Sequence, residues 1–399
     1  MKFDITQTGK PLTSTGSDSA KDSSSSKAKA PYSVVEITTK EGLSNVQTDW
    51  NRLSETAAQP NVFMTFDWHR AWSQQFAQES RSGRRTLCVL ALKQDGALAG
   101  ISPLIHRTAS RFGISVRKVE FLGAHADYND LILGNDPEAQ SLAIADYLVR
   151  TQDAWDLVDL RDLRDTGNSL APIQSALSRT DLHYRMMPEP GRYLYLRIDA
   201  PWPEMLGRLS RTARHTLRKK QRRLERMGMR VRIIQNPLAE PGLVEKLIAL
   251  ESQKSVQGLP SEPFIGAYPD VFRSLFEKLG PRGWLYLALM EMDGRLVAWH
   301  LGFRCGKRLW DYSTAYDRSF SRLSPGTMLI PAILDYGFSH GYSEHDFLRG
   351  EEPYKLRWTN DYHQTYRLMI WKKRWSSRTR AFIYLDLKPK VYGLFGRIG

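Results

Sequence analysis

Apolar and polar positions along the chain form short alternating runs separated by longer stripes of helical period. Residues 32–37 alternate as a strand, 43–54 carry a short helical stripe, and in 61–76 Trp68, Trp72 and Phe76 recur at helical spacing. Strand runs follow at 85–93, which ends in the turn Gln94-Asp95-Gly96, and at 98–106, 116–122 and 130–133. A helical stretch over 137–152, a period-two strand over 155–160 and a helix over 170–179 complete a mixed α/β half. That half closes at the turn Pro188-Glu189-Pro190-Gly191.

The remaining pattern repeats this plan. A strand at 193–198 leads into a helical stretch over 202–227, stopped by Gly228; a strand at 229–234 and helices at 241–251 and 267–279 follow. Strands at 284–290, 295–304 and 308–316 then surround the turn Met292-Asp293-Gly294. A helix begins after Ser324-Pro325-Gly326 and runs to His340, and a strand spans 345–348. Each half has an Asp-Gly hairpin followed by a helix and a strand, which points to internal duplication of one α/β domain. The expected division is a polar, serine-rich leader over 1–31, domains over 32–191 and 192–375, and a tail over 376–399.

Composition narrows the class. The 399 residues include 57 Lys and Arg against 43 Asp and Glu, a formal charge of +14 that favours anionic partners. Cys88 and Cys305 lie far apart in apolar runs and read as small buried hydrophobes, with no disulfide framework. No secretory pattern and no run of eighteen apolar residues occurs, so a cytoplasmic protein without transmembrane association is expected.

The charge is concentrated. Between Arg208 and Arg232 lie eleven Lys and Arg residues against one acid, Glu225, while Leu206, Leu209, Ala213, Leu217, Leu224 and Met227 keep one apolar stripe. A docked amphipathic helix of about seven turns follows, presenting Arg214, Arg218, Arg222 and Arg226 outward. Like charges at this density repel unless an anion neutralises them. A solvated face, a phosphorylated substrate, RNA, an anionic membrane surface and a partner protein all remain open readings of helix 208–226.

Candidate chemistry lies in the second half. His300 falls on the strand face opposite Trp299 and Leu301, and Asp311 interrupts an aromatic strand where a buried carboxylate needs partners such as His300, Arg308 or Tyr316. Ser324, Gly326 and Thr327 open a helix whose free amides suit a phosphate, with Arg318 and Arg322 adding charge. Strand 345–348 runs into a loop bearing Asp346, Arg349, Glu351, Glu352, Tyr354, Lys355, Arg357 and Trp358, and strand ends are where ligands meet α/β sheets. No metal-ligand cluster is read from the spacing.

The stretch DFLRGEEPYKLRW, the Ser324-Pro325-Gly326 helix start, RTARHTLRKKQRRLERMG, Asp127-Tyr128-Asn129-Asp130 and the 155–160 strand together resemble the GNAT-related acyltransferases of the CelD and BioF2-like type, distantly similar to Fem-type peptidyltransferases. The resemblance implies a tandem duplicated GNAT fold and acyl-CoA-dependent N-acyl transfer to an amine of a sugar or small metabolite, in polysaccharide or envelope synthesis. It implies acetyl-CoA or another acyl-CoA as co-substrate, with no permanently bound cofactor, held by Arg322, Ser324, Gly326 and Thr327. Glu351 or Asp346 is then the expected base, with His300 as the other choice and Tyr316 at the oxyanion. Arg349, Tyr354, Lys355, Arg357, Asp311 and Trp358 are expected at the substrate. GNAT loops usually repeat glycine, whereas here only Gly326 is present. An aminoacyl-tRNA donor and a non-catalytic accessory role are the alternatives.

Overall fold

Two hairpins anchor the architecture, and both turn on Asp-Gly pairs held at positive φ: 49° and 84° at Asp95 and Gly96, 50° and 77° at Asp293 and Gly294. Two successive left-handed residues make the tight turn whose twist matches the flanking strands, which is why this dipeptide marks the hairpin in each half. The computed structural model describes residues 32–57, 60–74, 85–111, 114–123, 125–252 and 268–373; the leader 1–31 and the tail 376–399 lie outside them.

The first half runs β1 (Ser33–Ile37), α1 (Lys40–Asn45), α2 (Gln47–Thr56), a 3-10 turn at Val62–Met64, α3 (Phe66–Ser73), β2 (Arg85–Leu87), β3 (Val89–Gln94), β4 (Ala97–Ser102) and β5 (Leu104–Arg111). It continues with β6 (Ile114–Phe121), β7 (Ile132–Leu133), α4 (Pro137–Arg150), β8 (Leu157–Arg164), α5 (Leu170–Ser178) and β9 (His183–Pro188). The second half has β10 (Tyr193–Arg197), α6 (Trp202–Gly207), α7 (Arg211–Arg226), β11 (Arg230–Ile234), α8 (Leu243–Ser252), α9 (Pro269–Leu279), β12 (Leu285–Met292), β13 (Arg295–Cys305) and β14 (Arg308–Tyr316). After a 3-10 segment at Arg318–Leu323 come α10 (Pro325–Ser339), β15 (Glu344–Arg349), β16 (Tyr362–His363) and β17 (Thr365–Trp371).

Two expected runs break in the middle. Pro103 ends β4 and lets β5 leave for another sheet, and Cys88 divides β2 from β3 in the same way. The long basic helix is two helices. Gly207 closes α6, and Ser210 caps α7 by accepting from the Ala213 amide, so the chain turns between them.

Three sheets result. The first half contributes β1-β3-β4-β7 and, in the order β2-β5-β6-β8-β17-β9, a six-stranded sheet; the second half is one seven-stranded sheet, β11-β12-β13-β14-β15-β10-β16. Each half contains one parallel pair made by a strand-helix-strand crossover, β6 with β8 and β14 with β15. Both pairs hold only briefly. Partners are Lys118 to Leu157 and Val119 to Val158 in one, and Arg308 to Glu344 through Trp310 to Asp346 in the other, after which the strands diverge. The mixed α/β fold, with two similarly built sheets flanked by helices, is consistent with the tandem duplicated arrangement expected from the sequence.

β17 departs from chain order. It inserts between β8 and β9, pairing antiparallel with both, so residues 365–371 complete the sheet of the first half although the sequence division assigns them to the second. Asp159 on β8 fastens it, accepting from Arg367 at 2.6 and 3.0 Å and pairing with Lys118 at 2.9 Å.

The halves also share a hydrophobic core. Phe63 stacks on Trp310 at 5.8 Å and Trp68 meets Phe303 edge-on, inside a cluster that includes Trp72 and Tyr128 from one half and Trp299, Leu287 and Phe272 from the other. Such aromatic pairs contribute about 0.5–1.5 kcal/mol each beyond burial. The seam is therefore a packed surface, and any cavity in it has fixed walls.

Candidate active site

The seam opens into a cavity of about 430 Å³ lined by His125, Ala126, Asp127, Asp162, Tyr312, Ser313 and Arg349. Its walls come from the loop after β6, from β8, from β14 and from the end of β15. It thus sits where both parallel pairs have parted, at strand ends. His125 and Asp162 adopt positive φ of 55° and 61°, and Leu348, directly before Arg349, has 53°. Non-glycine residues seldom adopt this conformation, and its clustering around a cavity is characteristic of functional sites.

Arg349 organises the polar wall. Its guanidinium lies 2.6 Å from Asp162 and 3.5 Å from Asp127, over the ring of Tyr193, whose hydroxyl donates to Asp162 at 3.1 Å. Burial pushes the Asp127 carboxyl up to about 6, with Asp162 adding to the rise and Arg349 opposing it. A carboxylate titrating there can take a proton near neutrality. Burial alone would lower Arg349, but the charges of Asp162, Tyr193 and Asp127 outweigh it and keep the guanidinium protonated. Tyr312 donates to the His125 carbonyl at 3.1 Å, tying β14 to the opposite half.

A second polar region lies further along β14. Ser324 precedes α10 in the left-handed conformation, with φ 55° and ψ 53°, and makes no side-chain cap. The first amides of α10 therefore have no capping side chain, and Pro325 suits the first helical position. Lys220 of α7 donates to the Ser324 hydroxyl at 2.8 Å; burial and the charge of Arg357 both lower its pKa. A Cβ at Gly326 would stand 3.2 Å from Thr314 and 3.6 Å from Tyr316, so glycine lets the helix start approach β14. Thr314 and Tyr316 lie two to four residues from the cavity residue Tyr312, roughly 7–13 Å along a strand. An elongated anionic ligand held at the helix start can span that distance.

The structure brings Ser324, Gly326 and Tyr316 together, with Arg357 within electrostatic reach of Lys220, and it puts Arg349 in the cavity. Other expected residues have different surroundings. His300 and Asp311 are buried, 2.8 Å apart, with His345 3.1 Å from the other Asp311 oxygen and the Tyr286 hydroxyl donating at 2.7 Å. Burial would raise Asp311, but the two imidazoles hold it well below the carboxylate range. Asp346 is fully buried and accepts from the Leu348 amide at 2.8 Å. Glu351 is exposed, ion-paired with Arg192 at 3.1 Å, and outside the cavity lining. Lys355 is buried, donates to the Arg349 carbonyl at 2.6 Å and pairs with Glu352 at 2.9 Å, so it braces the turn at the end of β15. Tyr354 and Trp358 pack on the core, Trp358 against Trp202 at 5.6 Å. Arg322 is exposed, and Thr327 is half-buried in the first turn of α10.

His125, Asp127, Asp162, Tyr312 and Ser313 were missed as site residues. Among them the signal lay at Asp127 alone, in the Asp127-Tyr128-Asn129-Asp130 run, whose polar residues interrupt an apolar stretch.

The geometry agrees with a match of residues 211–356 to the family described as acetyltransferase (GNAT) domain. That domain covers β11 to β15, both helices at the second polar region and the second-half wall of the cavity, and it is consistent with acyltransferase activity. No curated protein matches the chain. Among solved structures, FemX superposes with a TM-score of 0.57 at 10% identity, over 89% of this chain and 100% of that one. A conserved protein of unknown function from Bacteroides thetaiotaomicron VPI-5482 superposes at 0.53 and 9% identity, over 85% and 100%. At such identities the likeness is one of fold. No helix among the described residues is long and apolar enough to cross a membrane.

Proposed function

We propose that the chain is an acyl-CoA-dependent N-acyltransferase whose donor lies along β14 from the start of α10 and whose acceptor amine enters the seam cavity. The observation that carries this reading is Asp127, a carboxyl poised near neutrality and facing a cavity on the strand that also meets an uncapped helix start. The amides of Gly326 and Thr327, with Lys220, fit the phosphates of coenzyme A, which as a thioester supplies the activated acyl group. Asp127 takes the proton from the acceptor ammonium so that the free amine can attack. Arg349 holds Asp162 and Asp127 in register. The edge of β14 beyond Trp310, which no longer pairs with β15, offers amides to the thioester carbonyl. The CelD and BioF2-like affinity, the sugar or small-metabolite acceptor and the envelope setting belong to the same reading and rest on the sequence motifs, while a cytoplasmic location belongs to it on the apolar pattern of the chain.

The test is calorimetric titration with acetyl-CoA and longer acyl-CoAs, followed by thiol release with a panel of amines. Binding that weakens in Lys220→Ala, with amine-dependent turnover, supports the proposal. No binding of any acyl-CoA overturns it.

One observation favours a second donor. α7 exposes Arg218, Lys219, Arg222, Arg223 and Arg226, and among the described residues none of the five has an acidic partner. An aminoacyl-tRNA suits that face, and salt-sensitive tRNA binding without acyl-CoA binding would select it. An anionic membrane surface would instead appear as vesicle binding.

A further inference from the structure

A cluster outside the seam cavity joins three metal-ligand types. Glu36 on β1, Cys88 at the corner between β2 and β3, and His106 on β5 each offer one ligand atom, and these atoms lie within 4.8 Å of one another. Their positions matter because β1 and β3 belong to the four-stranded sheet, whereas β2 and β5 belong to the six-stranded one. Cys88 occupies a residue at which the chain passes between the sheets, as Pro103 does further on, and its amide donates to the Leu104 carbonyl at 3.1 Å. We propose that Glu36, Cys88 and His106 bind a zinc-like divalent cation that clamps the corner between the two sheets of the first half.

The donor set suits that ion. Zinc takes one sulfur at about 2.3 Å and nitrogen or oxygen at about 2.0–2.2 Å, in a tetrahedron that leaves a fourth position for water. One glutamate oxygen is already engaged, since Tyr147 of α4 donates to Oε2 at 2.6 Å; the other, Oε1, lies 4.0 Å from His106 Nε2. Tyr147 thus orients the carboxylate as outer hydrogen bonds orient metal ligands. It also lies 3.9 Å from the Cys88 sulfur. Cys88 is 1% exposed, while the side chains of Glu36 and His106 are 32% and 27% exposed, so the ion has a buried anchor and an entry path.

Charge separates this cluster from the other one of similar composition. Glu344, Asp346 and His363 also converge, but Arg308 lies 3.1 Å and Arg164 3.9 Å from Glu344, and these cations already neutralise the acids. No lysine or arginine among the described residues pairs with Glu36. Cys88 supplies a thiol sulfur and His106 an imidazole nitrogen, donors that zinc favours. Binding releases that thiol proton to solvent, and thiolate plus carboxylate balance the two charges of the ion. The sequence spacing hid the set, because its members stand 52 and 18 residues apart, on two strands and at the corner between two others.

The experiment loads the full chain with zinc, dialyses it and measures metal content, then repeats with cobalt and records the spectrum. About one ion per chain is expected, with a sulfur-to-cobalt charge-transfer band. Cys88→Ser abolishes the band and His106→Ala lowers the bound metal several-fold, while circular dichroism checks that both variants fold. A wild-type chain that retains no metal and gives no band overturns the proposal. So does a band that persists in Cys88→Ser, or metal lost only in His363→Ala. Catalytic activity is not the readout, so this result is independent of the acyltransfer reading.

Discussion

The hydroxyl of Tyr128 donates to a carboxylate oxygen of Asp346 at 2.8 Å, linking the two halves through side chains that are both fully buried. Burial raises Asp346; Arg164, His363 and this hydrogen bond oppose the rise. Tyr128→Phe leaves the acid short of a donor and is expected to lower stability by about 1–3 kcal/mol, read from the urea midpoint. An unchanged midpoint would show that the bond contributes nothing to the seam.

Asp127 governs the expected pH profile. With its carboxyl pushed up to about 6, the basic form grows with pH, so kcat/KM for amine acylation should rise through that value and level off above it. Asp127→Asn is expected to lose about 10²–10⁴-fold and to flatten the profile. Full activity in this variant would move the base elsewhere.

The buried group of His300, Asp311, His345 and Tyr286 is expected to act on stability. Asp311→Ala leaves two imidazoles and a phenol unmatched in the core, at a cost of about 3–5 kcal/mol. His300→Asn, measured for both unfolding and kinetics, separates the roles. A lower midpoint with unchanged kcat fits a structural imidazole, whereas a kcat loss at unchanged stability would restore His300 as the base.

Asp159 gives the acid limb. Burial would raise it, but Arg367 and Lys118 more than compensate and bring it down to about 2 from 3.8. A lowered folded-state pKa contributes stability that is present above the unfolded value and lost as pH falls from about 4 towards 2. Asp159→Asn should remove on the order of 2 kcal/mol at pH 7 and flatten that part of the curve. A wild-type and variant difference that is the same at pH 7 and pH 2.5 would contradict the linkage.

Local chemistry explains which features were readable beforehand. Asp95-Gly96 and Asp293-Gly294 announce their hairpins because left-handed turns need those residues, and Ser324-Pro325-Gly326 announces a helix start for a similar reason. The charged run after Arg349 drew attention by density, yet Glu351 and Lys355 satisfy Arg192 and Glu352 and the turn carbonyls. Asp127 and Asp162 carry little signal individually; they meet only because β6 and β8 part beside β14 and β15. Pairing of β17 with β8 joins residues some two hundred positions apart, and no local periodicity encodes a partner at that distance.

The destination of β17 bears on how the protein is made. While a ribosome has released the chain only through α9, β8 and β9 face each other across a vacant slot, each with an unpaired backbone edge. The first half therefore waits for nearly two hundred further residues before its central sheet can close, which makes the nascent chain a natural client for chaperones that shield open strands.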